Sequence, residues 1–290
     1  MRKYLFFIIL SVFILLTIAI YQGVKFNDSR LHLIFCSVGQ GDAIFIKTPA
    51  GSKILIDGGP DDSVLNCLSR HMYFFDRKID AVILTHPHSD HLTGLISVAR
   101  RYDLIFYDME NLEISGVEAK ILQDNLAVKN LTANLLKKGD RLSNQSNFSL
   151  EVLWPGKDYA KKGLNFLPSK ANDSDFNGLS AVQRVVFGDF KALLTSDINY
   201  FSGEEVSRET GFVDILQVPH HGSKTGLSRK FLKEVSPKLA VISVGKNNSY
   251  GHPAKETLNL LKNNNVKVLR TDLNGDIEII SDGKTWEVAN

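Results

Sequence analysis

Three of the chain's eight histidines and one aspartate fall within six consecutive positions of "THPHSDHLTG", a stretch that follows the apolar run "AVIL". If that run is a strand, alternation sends His86 and His88 to the same side just past its end. Two imidazoles can then reach one cation, while Asp90 and His91, on the turn into the next helix, can reach a second. Imidazole with carboxylate suits Zn, Mn or Fe, and two metals about 3.5–4 Å apart form a recurrent hydrolytic centre. Helix capping explains the stretch poorly, because a cap needs one Asp or Ser and not three histidines.

Two later segments contain the kinds of ligand that this motif lacks. The segment "KALLTSDI" ends an apolar strand on Asp197, and "ILQVPHHGSKTG" ends another on His220 and His221. A dinuclear site needs a bridging carboxylate and a further imidazole from separate strands. The pattern therefore predicts Asp197 and a histidine of the "HH" pair as ligands, with the choice between His220 and His221 left open.

The ordered set of motifs resembles a known family. The segments "ILIDGG", "THPHSDH", "LLTSDI" and "VPHHGSKT" recur in this order in the metallo-β-lactamase fold superfamily. The segments "VGQGDA", "ISVGKNNSYGHP" and "RTDLNGDI" resemble, more narrowly, the hydrolase domain of ComEC-type DNA-internalisation competence proteins. The resemblance extends over about residues 31 to 280.

The resemblance implies a fold and a metal site. The fold would be an α/β, four-layer αββα sandwich with one or two divalent ions, Zn or Mn, at one edge. The implied ligands are His86 and His88 on one metal, Asp90, His91 and one of His220 and His221 on the other, and Asp197 between them. Asp57 in "ILIDGG" resembles the buried aspartate that orients ligands from behind.

One feature departs from most dinuclear members of the superfamily. They have another histidine between the H-x-H-x-D-H motif and the bridging aspartate, whereas this chain has no histidine from 92 to 219. We expect water or an oxygen, such as that of Asn177 or Asp175, to complete the ligands of the metal held by His86 and His88. An oxygen ligand favours a harder ion such as Mn.

The chemistry that such a site implies is hydrolysis by a metal-activated water, with attack on phosphorus or on an acyl carbon. Asp90 belongs to this machinery as a ligand. Ser223 and Lys224 in "HHGSKT" and His252 in "YGHP" are candidates for holding a phosphate or protonating the leaving oxygen. We assign His32 and His71 to structural roles, and we expect no nucleotide cofactor.

The N-terminus predicts a membrane segment. The run from Tyr4 to Tyr21 has no Asp, Glu, Lys or Arg, and at about 1.5 Å per residue it just crosses a hydrocarbon core of about 30 Å. Because Arg2 and Lys3 precede it and positive charge tends to stay inside, we place the domain outside the cytoplasm. We predict residues 1–24 as an anchor or signal segment and 29–290 as the hydrolase domain, with secretion after cleavage as the alternative.

Composition and pattern fit a globular α/β domain. The chain has 290 residues, 43% of them hydrophobic, and a net charge of +2 that neither demands nor excludes an anionic partner. Strand patterns alternate with helix patterns, and the Gly188-Asp189 pair predicts a hairpin turn. We expect Cys36 and Cys67 to be buried free thiols, with a single bridge left open for a domain outside the cytoplasm.

The leading interpretation is a membrane-anchored, metal-dependent phosphodiesterase or nuclease of the ComEC-like type, with DNA or another phosphodiester polymer as partner. A cell-surface esterase that acts on choline phosphate or teichoic acid keeps the site and changes the substrate. A third interpretation is a non-catalytic, metal-stabilised accessory module. A basic, aromatic-lined groove would favour nucleic acid, and a closed pocket would favour a small head group.

Overall fold

Two β-sheets form the body of the protein. The computed structural model describes residues 2–109, 116–143, 147–156 and 177–289. The first sheet has the strand order β15-β14-β1-β2-β3-β4-β5-β6, and the second has the order β13-β12-β11-β10-β9-β8-β7. The strands are β1 Leu31–Phe35, β2 Ile44–Lys47, β3 Lys53–Ile56, β4 Lys78–Ile83, β5 Asp103–Met109, β6 Asn134–Leu136, β7 Arg141–Ser143, β8 Phe148–Trp154, β9 Val182–Phe187, β10 Phe190–Leu194, β11 Ile215–Gln217, β12 Leu239–Ile242, β13 Lys267–Arg270, β14 Ile277–Ser281 and β15 Trp286–Val288.

Helices cover the outer face of each sheet. The helices of the described residues are α1 Arg2–Phe26, α2 Ser63–His71, α3 Ser89–Arg101, α4 Val117–Val128, α5 Tyr200–Thr210, α6 Arg229–Val235, α7 Lys255–Asn263 and α8 Thr271–Asn274, and α2 to α7 form these outer layers. One apolar cluster fills the space between the sheets, a second joins the first sheet to α2, α3 and α4, and a third joins the second sheet to α5, α6 and α7. Three apolar layers require four layers of secondary structure. The predicted αββα sandwich is therefore confirmed.

Local sequence signals account for the hairpins. Strands β1, β2 and β3 pair antiparallel in succession, as their short glycine-bearing connections predict. Strands β9 and β10 pair with Phe187 opposite Phe190, and Gly188 between them has a φ of +57°. This confirms the turn that the Gly-Asp pair predicts, because glycine adopts positive φ without steric cost.

The parallel strands bring the chemical residues to one edge. Strand β3 is parallel to β4, and β10, β11 and β12 are parallel to one another. Parallel strands end at a common edge, so the segments that follow them meet there. The same rule puts the starts of these strands at the opposite edge, roughly 13–20 Å away at about 3.3 Å per residue over four to six residues.

The cysteines form a disulfide. The Cα atoms of Cys36 and Cys67 lie 5.7 Å apart, within the usual range for a bridge, and their sulfurs are bonded. The expectation of two free thiols is therefore wrong. The sequence pattern could not show that α2 crosses the end of β1 and places the two side chains together. Disulfides of this kind persist in oxidising compartments.

Removing this bridge should lower the free energy of unfolding by about 3.5 kcal/mol, because it releases a loop with 31 residues of sequence separation in the unfolded chain. Urea denaturation of the full chain with Cys36→Ser and Cys67→Ser measures the difference. A reductant should shift the wild-type midpoint and leave that of the double variant unchanged. Equal midpoints for the oxidised wild type and the variant would contradict the prediction.

The N-terminal helix is apolar and exposed. Residues Lys3–Tyr21 have a mean hydropathy of 2.7 and are 0% buried against the rest of the chain. This segment is long and apolar enough to cross a membrane. Beyond α1, Asp28 accepts hydrogen bonds from Arg30 Nε at 2.8 Å and from Lys47 Nζ at 3.4 Å, and its carboxylate also contacts His32. The polar contacts of Asp28 therefore fix the point at which the chain enters the domain.

Candidate metal centre

Asp197 lies at the centre of a group of histidines. It follows β10 and is 2% exposed, so its carboxylate is withdrawn from solvent. Its Oδ1 lies 3.5 Å from His91 Nε2 and 3.6 Å from His221 Nε2. Its Oδ2 lies 3.7 Å from His220 Nε2 and 4.0 Å from His86 Nε2. The two oxygens thus face two different sets of imidazole nitrogens.

The group on the Oδ1 side has the dimensions of a metal ligand set. One ligand atom each from Asp90, His91, Asp197 and His221 lies within 4.8 Å of the others. Besides the contacts of Oδ1, His221 Nε2 is 3.2 Å and His91 Nε2 is 4.0 Å from Asp90 Oδ2. A tetrahedral ion with ligands at about 2.0–2.1 Å would separate them by about 3.4 Å. The observed separations bracket that value.

The group on the Oδ2 side is less compact. His86 Nε2 lies 3.1 Å from His88 Nδ1, so the two imidazoles of H-x-H converge as strand alternation predicts. His220 adds its Nε2 on the same side of Asp197. The amide nitrogen of Asn177 lies 3.4 Å from His220 Nε2. This side therefore offers three imidazole nitrogens and one carboxylate oxygen.

The "HH" pair is splayed by its backbone. His220 and His221 both have positive φ, at +51° and +53°, within a single 3₁₀ turn, His220–Gly222, after β11. The left-handed conformation is costly for residues with a Cβ and concentrates at functional sites. Here it turns consecutive side chains to opposite sides of Asp197. The structure therefore brings both histidines to the centre.

Buried groups behind the ligands hold them in place. Asp57 is 1% exposed, and its Oδ2 lies 2.8 Å from His91 Nδ1. Thr85 donates from its N–H to Asp57 Oδ1 at 2.8 Å and from its hydroxyl to Oδ2 at 2.7 Å. With the Nδ1 of His91 oriented by a carboxylate, its Nε2 points at Asp197. This is the contact that the resemblance implies for Asp57.

Asp42 is a residue that the sequence reasoning missed. It is 2% exposed in the segment "VGQGDA", accepts from Gln217 Nε2 at 2.8 Å, and lies 3.8 Å from His221 Nδ1. That nitrogen also lies 3.0 Å from the carbonyl oxygen of Ser243. The motif was recognised only as a family signature, and an acidic residue between small residues gave no role by itself.

Burial and mutual charge displace the pKa values of these residues. Burial raises the pKa of Asp42 to about 6 and also raises that of Asp57. Burial opposes ionisation of Asp197, but His221 and His91 hold its pKa well below the usual range. Burial likewise opposes protonation of His221, yet Asp197 and Asp42 raise its pKa to about 9. Buried carboxylates that lie this close together are stabilised in their ionised form by cationic partners.

Buried atoms without partners support a fit to a metal. Within the described residues, His91 Nε2 and Asp197 Oδ1 are both buried and neither makes a hydrogen bond. Because buried polar atoms are normally paired, two that face each other across 3.5 Å indicate an intervening ligand. The ligand atoms of Cys67, His71 and Asp276 also lie within 4.8 Å of one another. The Cys67 sulfur is bonded to Cys36, however, so this second cluster does not offer a thiolate to a metal.

The centre lies in a cleft of about 410 Å³. Its lining residues are Gln40, Pro87, His88, Ser89, Asp90, Asn177, Asp197, His220, His221, Tyr250 and His252. His252 is half-buried, and its ring centre is 5.8 Å from that of His220 and 5.9 Å from that of Tyr250. Tyr250 itself is 71% exposed. Gln40 and Tyr250 had not been singled out, because neither residue type signals a cleft by itself.

The remaining candidates lie elsewhere. Ser223 is buried, and its hydroxyl pairs with that of Thr225 at 3.0 Å, so it shapes the loop after the "HH" pair. Lys224 is exposed, and its carbonyl oxygen accepts from the Tyr200 hydroxyl. Neither Ser223 nor Lys224 lines the cleft. Asp175 lies outside the described residues.

Comparison with known proteins supports the resemblance to the metallo-β-lactamase superfamily. The model of the metallo-β-lactamase superfamily matches residues 36–107, which include β2 to β4, most of β5 and the whole H-x-H-x-D-H motif. This part of the chain is similar to the metallo-β-lactamase superfamily, as the ordered motifs predict. The metallo-β-lactamase fold protein YhfI of Bacillus subtilis, at 14% identity, aligns with a TM-score of 0.50 over 82% of this chain and 96% of its own. That likeness supports the fold.

Curated proteins similar to this chain include competence protein ComA of Neisseria gonorrhoeae, which is 27% identical over 273 residues, 92% of this chain and 35% of that protein. ComE operon protein 3 of Bacillus subtilis is 29% identical over 273 residues, which cover 83% of this chain and 32% of that protein. Exodeoxyribonuclease WalJ of Streptococcus pneumoniae is 30% identical over 79 residues, 27% of this chain and 29% of WalJ. The chain thus spans about a third of the length of these curated relatives. The predicted resemblance to ComEC-type domains is confirmed.

Proposed function

We propose that this metallo-β-lactamase domain is a metal-dependent phosphodiesterase that cleaves DNA or another phosphodiester polymer at the outer face of a membrane. The observation that carries the proposal is the position of the Asp197 carboxylate in the cleft. Its two oxygens face two separate groups of histidines. Two divalent ions so placed would match a centre of the kind that hydrolyses phosphodiesters.

The ligand assignment follows from the distances. Asp90, His91 and His221 would hold one ion with Asp197 Oδ1, because their ligand atoms already have the spacing of a coordination shell. On the other side, His86 and His88 would hold the second ion with Asp197 Oδ2. In this arrangement His221 is the histidine that the resemblance requires, and Asp57 orients His91 through its Nδ1.

We infer that His220 is the missing third imidazole of the second ion. Its Nε2 faces Asp197 Oδ2, the oxygen that also faces His86. It thereby compensates for the absence of histidine between residues 92 and 219. The Asn177 amide nitrogen lies against this same Nε2, so an ion bound there would displace that contact, and Asn177 is not assigned as a ligand. Three nitrogens and one oxygen suit Zn as well as Mn. With His220 as the ligand, the expected preference for Mn, which rested on an oxygen ligand, no longer follows.

The residues of the chain divide the reaction between them. When bound, the divalent ions supply Lewis acidity and lower the pKa of a coordinated water to about 7. The histidines and carboxylates fix that site, and the cleft lets a phosphodiester approach over His88 and Asp90. His252, which also lines the cleft, has a buried Nδ1 with no hydrogen-bond partner among the described residues. Its imidazole can donate a proton to the leaving oxygen.

The shape of the cleft supports a polymer substrate. Tyr250 stands at its mouth, 71% exposed and stacked beside His252, where a base or sugar could rest on the ring. The name of WalJ, a relative over part of the chain, also points to a nuclease. A second candidate is a surface-polymer phosphodiesterase, favoured because the described lining contains no Lys or Arg to follow a nucleic-acid backbone.

The proposed location rests on two observations. The apolar helix Lys3–Tyr21 would anchor the chain, and Arg2 and Lys3 before it favour a cytoplasmic N-terminus. The Cys36–Cys67 disulfide favours the oxidising side of that membrane for the domain.

The decisive experiment measures hydrolysis of bis-p-nitrophenyl phosphate, single-stranded DNA and duplex DNA by the full chain in detergent. The protein is stripped of metal and then supplied with Mn or Zn, beside a His88→Ala and Asp90→Ala double variant. We expect metal-dependent cleavage that the variant lacks, with the DNA samples separating a nuclease from a surface-polymer enzyme. Bound metal without cleavage of any phosphodiester would overturn the proposal and favour the accessory module.

His252 provides a sharper test of mechanism. We expect His252→Ala to slow cleavage of an alkyl phosphodiester by about 10²–10⁴-fold, the usual worth of a general acid. Hydrolysis of bis-p-nitrophenyl phosphate should change far less, because nitrophenolate leaves without protonation. Steady-state kinetics on both esters distinguishes the two. Equal losses would indicate that His252 positions the substrate and transfers no proton.

A further inference from the structure

The loop between α2 and β4 contains three consecutive aromatic residues, the half-buried Tyr73 and the exposed Phe74 and Phe75, which we call the aromatic loop. Phe74 is 64% exposed and Phe75 is 63% exposed. The rings pack on one another, with Tyr73 stacked on Phe75 at 5.4 Å and Phe74 edge-on to Phe75 at 5.2 Å. Contiguous exposed aromatic surface of this kind normally marks a contact with a partner or a membrane.

The aromatic loop is held in shape by polar contacts. Arg77 donates from Nη1 to the carbonyl oxygens of Phe74 at 2.9 Å and Asp76 at 2.8 Å. Asp76 in turn accepts from Lys53 Nζ at 2.5 Å. The rings are therefore displayed by a fixed backbone, which reduces the entropy that docking would cost.

The aromatic loop lies beside the point where the N-terminal helix joins the domain. Lys47 at the end of β2 and Lys53 at the start of β3 are directly paired across the sheet. Lys47 binds Asp28, just beyond α1, and Lys53 binds Asp76, just beyond the aromatic loop. Residues directly opposite on neighbouring strands are about 5 Å apart. The anchor and the aromatic loop therefore share one edge of the sheet.

The tether to the membrane is short. The apolar segment ends at Tyr21, α1 continues to Phe26, and Asp28 is already fixed to the domain. Five helical residues and two extended ones reach about 15 Å. An edge tied so closely to the span lies within the interfacial zone of the bilayer.

We propose that the aromatic loop inserts into the membrane interface and holds the domain with its metal cleft facing away from the bilayer. Aromatic rings are favoured at the headgroup level, and the exposed Arg77, Lys78 and Arg101 at this edge complement anionic headgroups. The cleft lies at the opposite edge, beyond the ends of β3 and β4, where a polymer outside the membrane can enter. This proposal rests on the membrane anchoring proposed above.

The test places a tryptophan at the aromatic loop of the full chain, reconstituted in vesicles of phosphatidylcholine and phosphatidylglycerol. Phe74→Trp is compared with Leu273→Trp, an exposed residue, 70% accessible, that follows β13 at the cleft edge. The emission of the native Trp154 and Trp286, measured in the wild type, is subtracted. Lipids brominated near the headgroup should then quench roughly half of the emission that Phe74→Trp adds, because interfacial rings lie at that depth. They should leave Leu273→Trp nearly unchanged.

Two controls separate this proposal from the anchor. Flotation of the full chain with the vesicles reports the anchor, so failure to float would overturn anchoring and the loop contact together. Flotation with equal quenching at both positions would overturn the loop contact alone. Adding Phe75→Glu to Phe74→Trp should reduce the quenching without unfolding the domain, because both side chains are exposed; undiminished quenching would also overturn the contact.

Discussion

Replacing Asp197 by alanine is expected to slow metal-dependent phosphodiester hydrolysis by at least about 10³-fold. Asp197 is the one residue whose two oxygens face both histidine groups, so its loss removes a ligand from each ion. Bound metals stabilise the transition state by several kcal/mol, and each 1.36 kcal/mol lost costs about tenfold in rate. Rate measurements at saturating Mn or Zn, together with elemental analysis of bound metal, test this expectation.

The matched control for that variant is Asp124→Ala. Asp124 is an exposed acid on α4 that pairs with Lys120, far from the cleft. It should retain wild-type rate and metal content. If Asp197→Ala kept both metals and its activity, the bridging assignment would be wrong, and the active centre would have to be sought elsewhere in the cleft.

Replacing His220 by alanine is expected to remove one ion and leave the other. Only the group around His86 and His88 would lose a ligand, while Asp90, His91 and His221 would keep their arrangement. Loss of an outer partner already weakens metal binding 10–100-fold, so loss of a direct ligand should cost at least about 100-fold. The stoichiometry of metal per chain after dialysis should fall from two to one.

Three further variants make that result specific. His221→Ala should remove the ion on the Oδ1 side instead, which the Mn electron paramagnetic resonance spectrum of the remaining ion can distinguish. Asn177→Ala should retain two ions, because Asn177 is not assigned as a ligand. His32→Gln, at a histidine paired with Asp28 and Glu278, serves as the control. Two ions in His220→Ala with one in Asn177→Ala would reverse the assignment in favour of the oxygen ligand.

The sequence was informative wherever the chemistry is local. The H-x-H-x-D-H spacing predicted the convergence of His86 and His88, which lie two residues apart in the short turn between β4 and α3. The Gly-Asp pair predicted the β9–β10 turn for a similar reason. The ordered motifs predicted the resemblance to the metallo-β-lactamase superfamily, and that resemblance implied the four-layer sandwich.

The sequence was wrong or silent where distant segments meet. Cys36 and Cys67 looked like two separate buried thiols, since only the packing of α2 across β1 brings their sulfurs into a bond. Asp42 had no assigned role until Gln217 and His221, from the other sheet, were seen beside it. Lys224 is adjacent in sequence to the "HH" pair, yet its turn leads it to solvent and away from the cleft.

The sequence by itself therefore determined the residue types of the metal centre, the family and the apolar N-terminal segment. Only the tertiary structure decided that His220 and His221 serve opposite sides of Asp197, because that depends on two consecutive positive φ angles held between β11 and the strands beside it. Only the structure placed the aromatic loop beside the anchor and the cleft at the far edge. Parallel pairing decides which strand ends meet, and a linear pattern of residues does not encode that register.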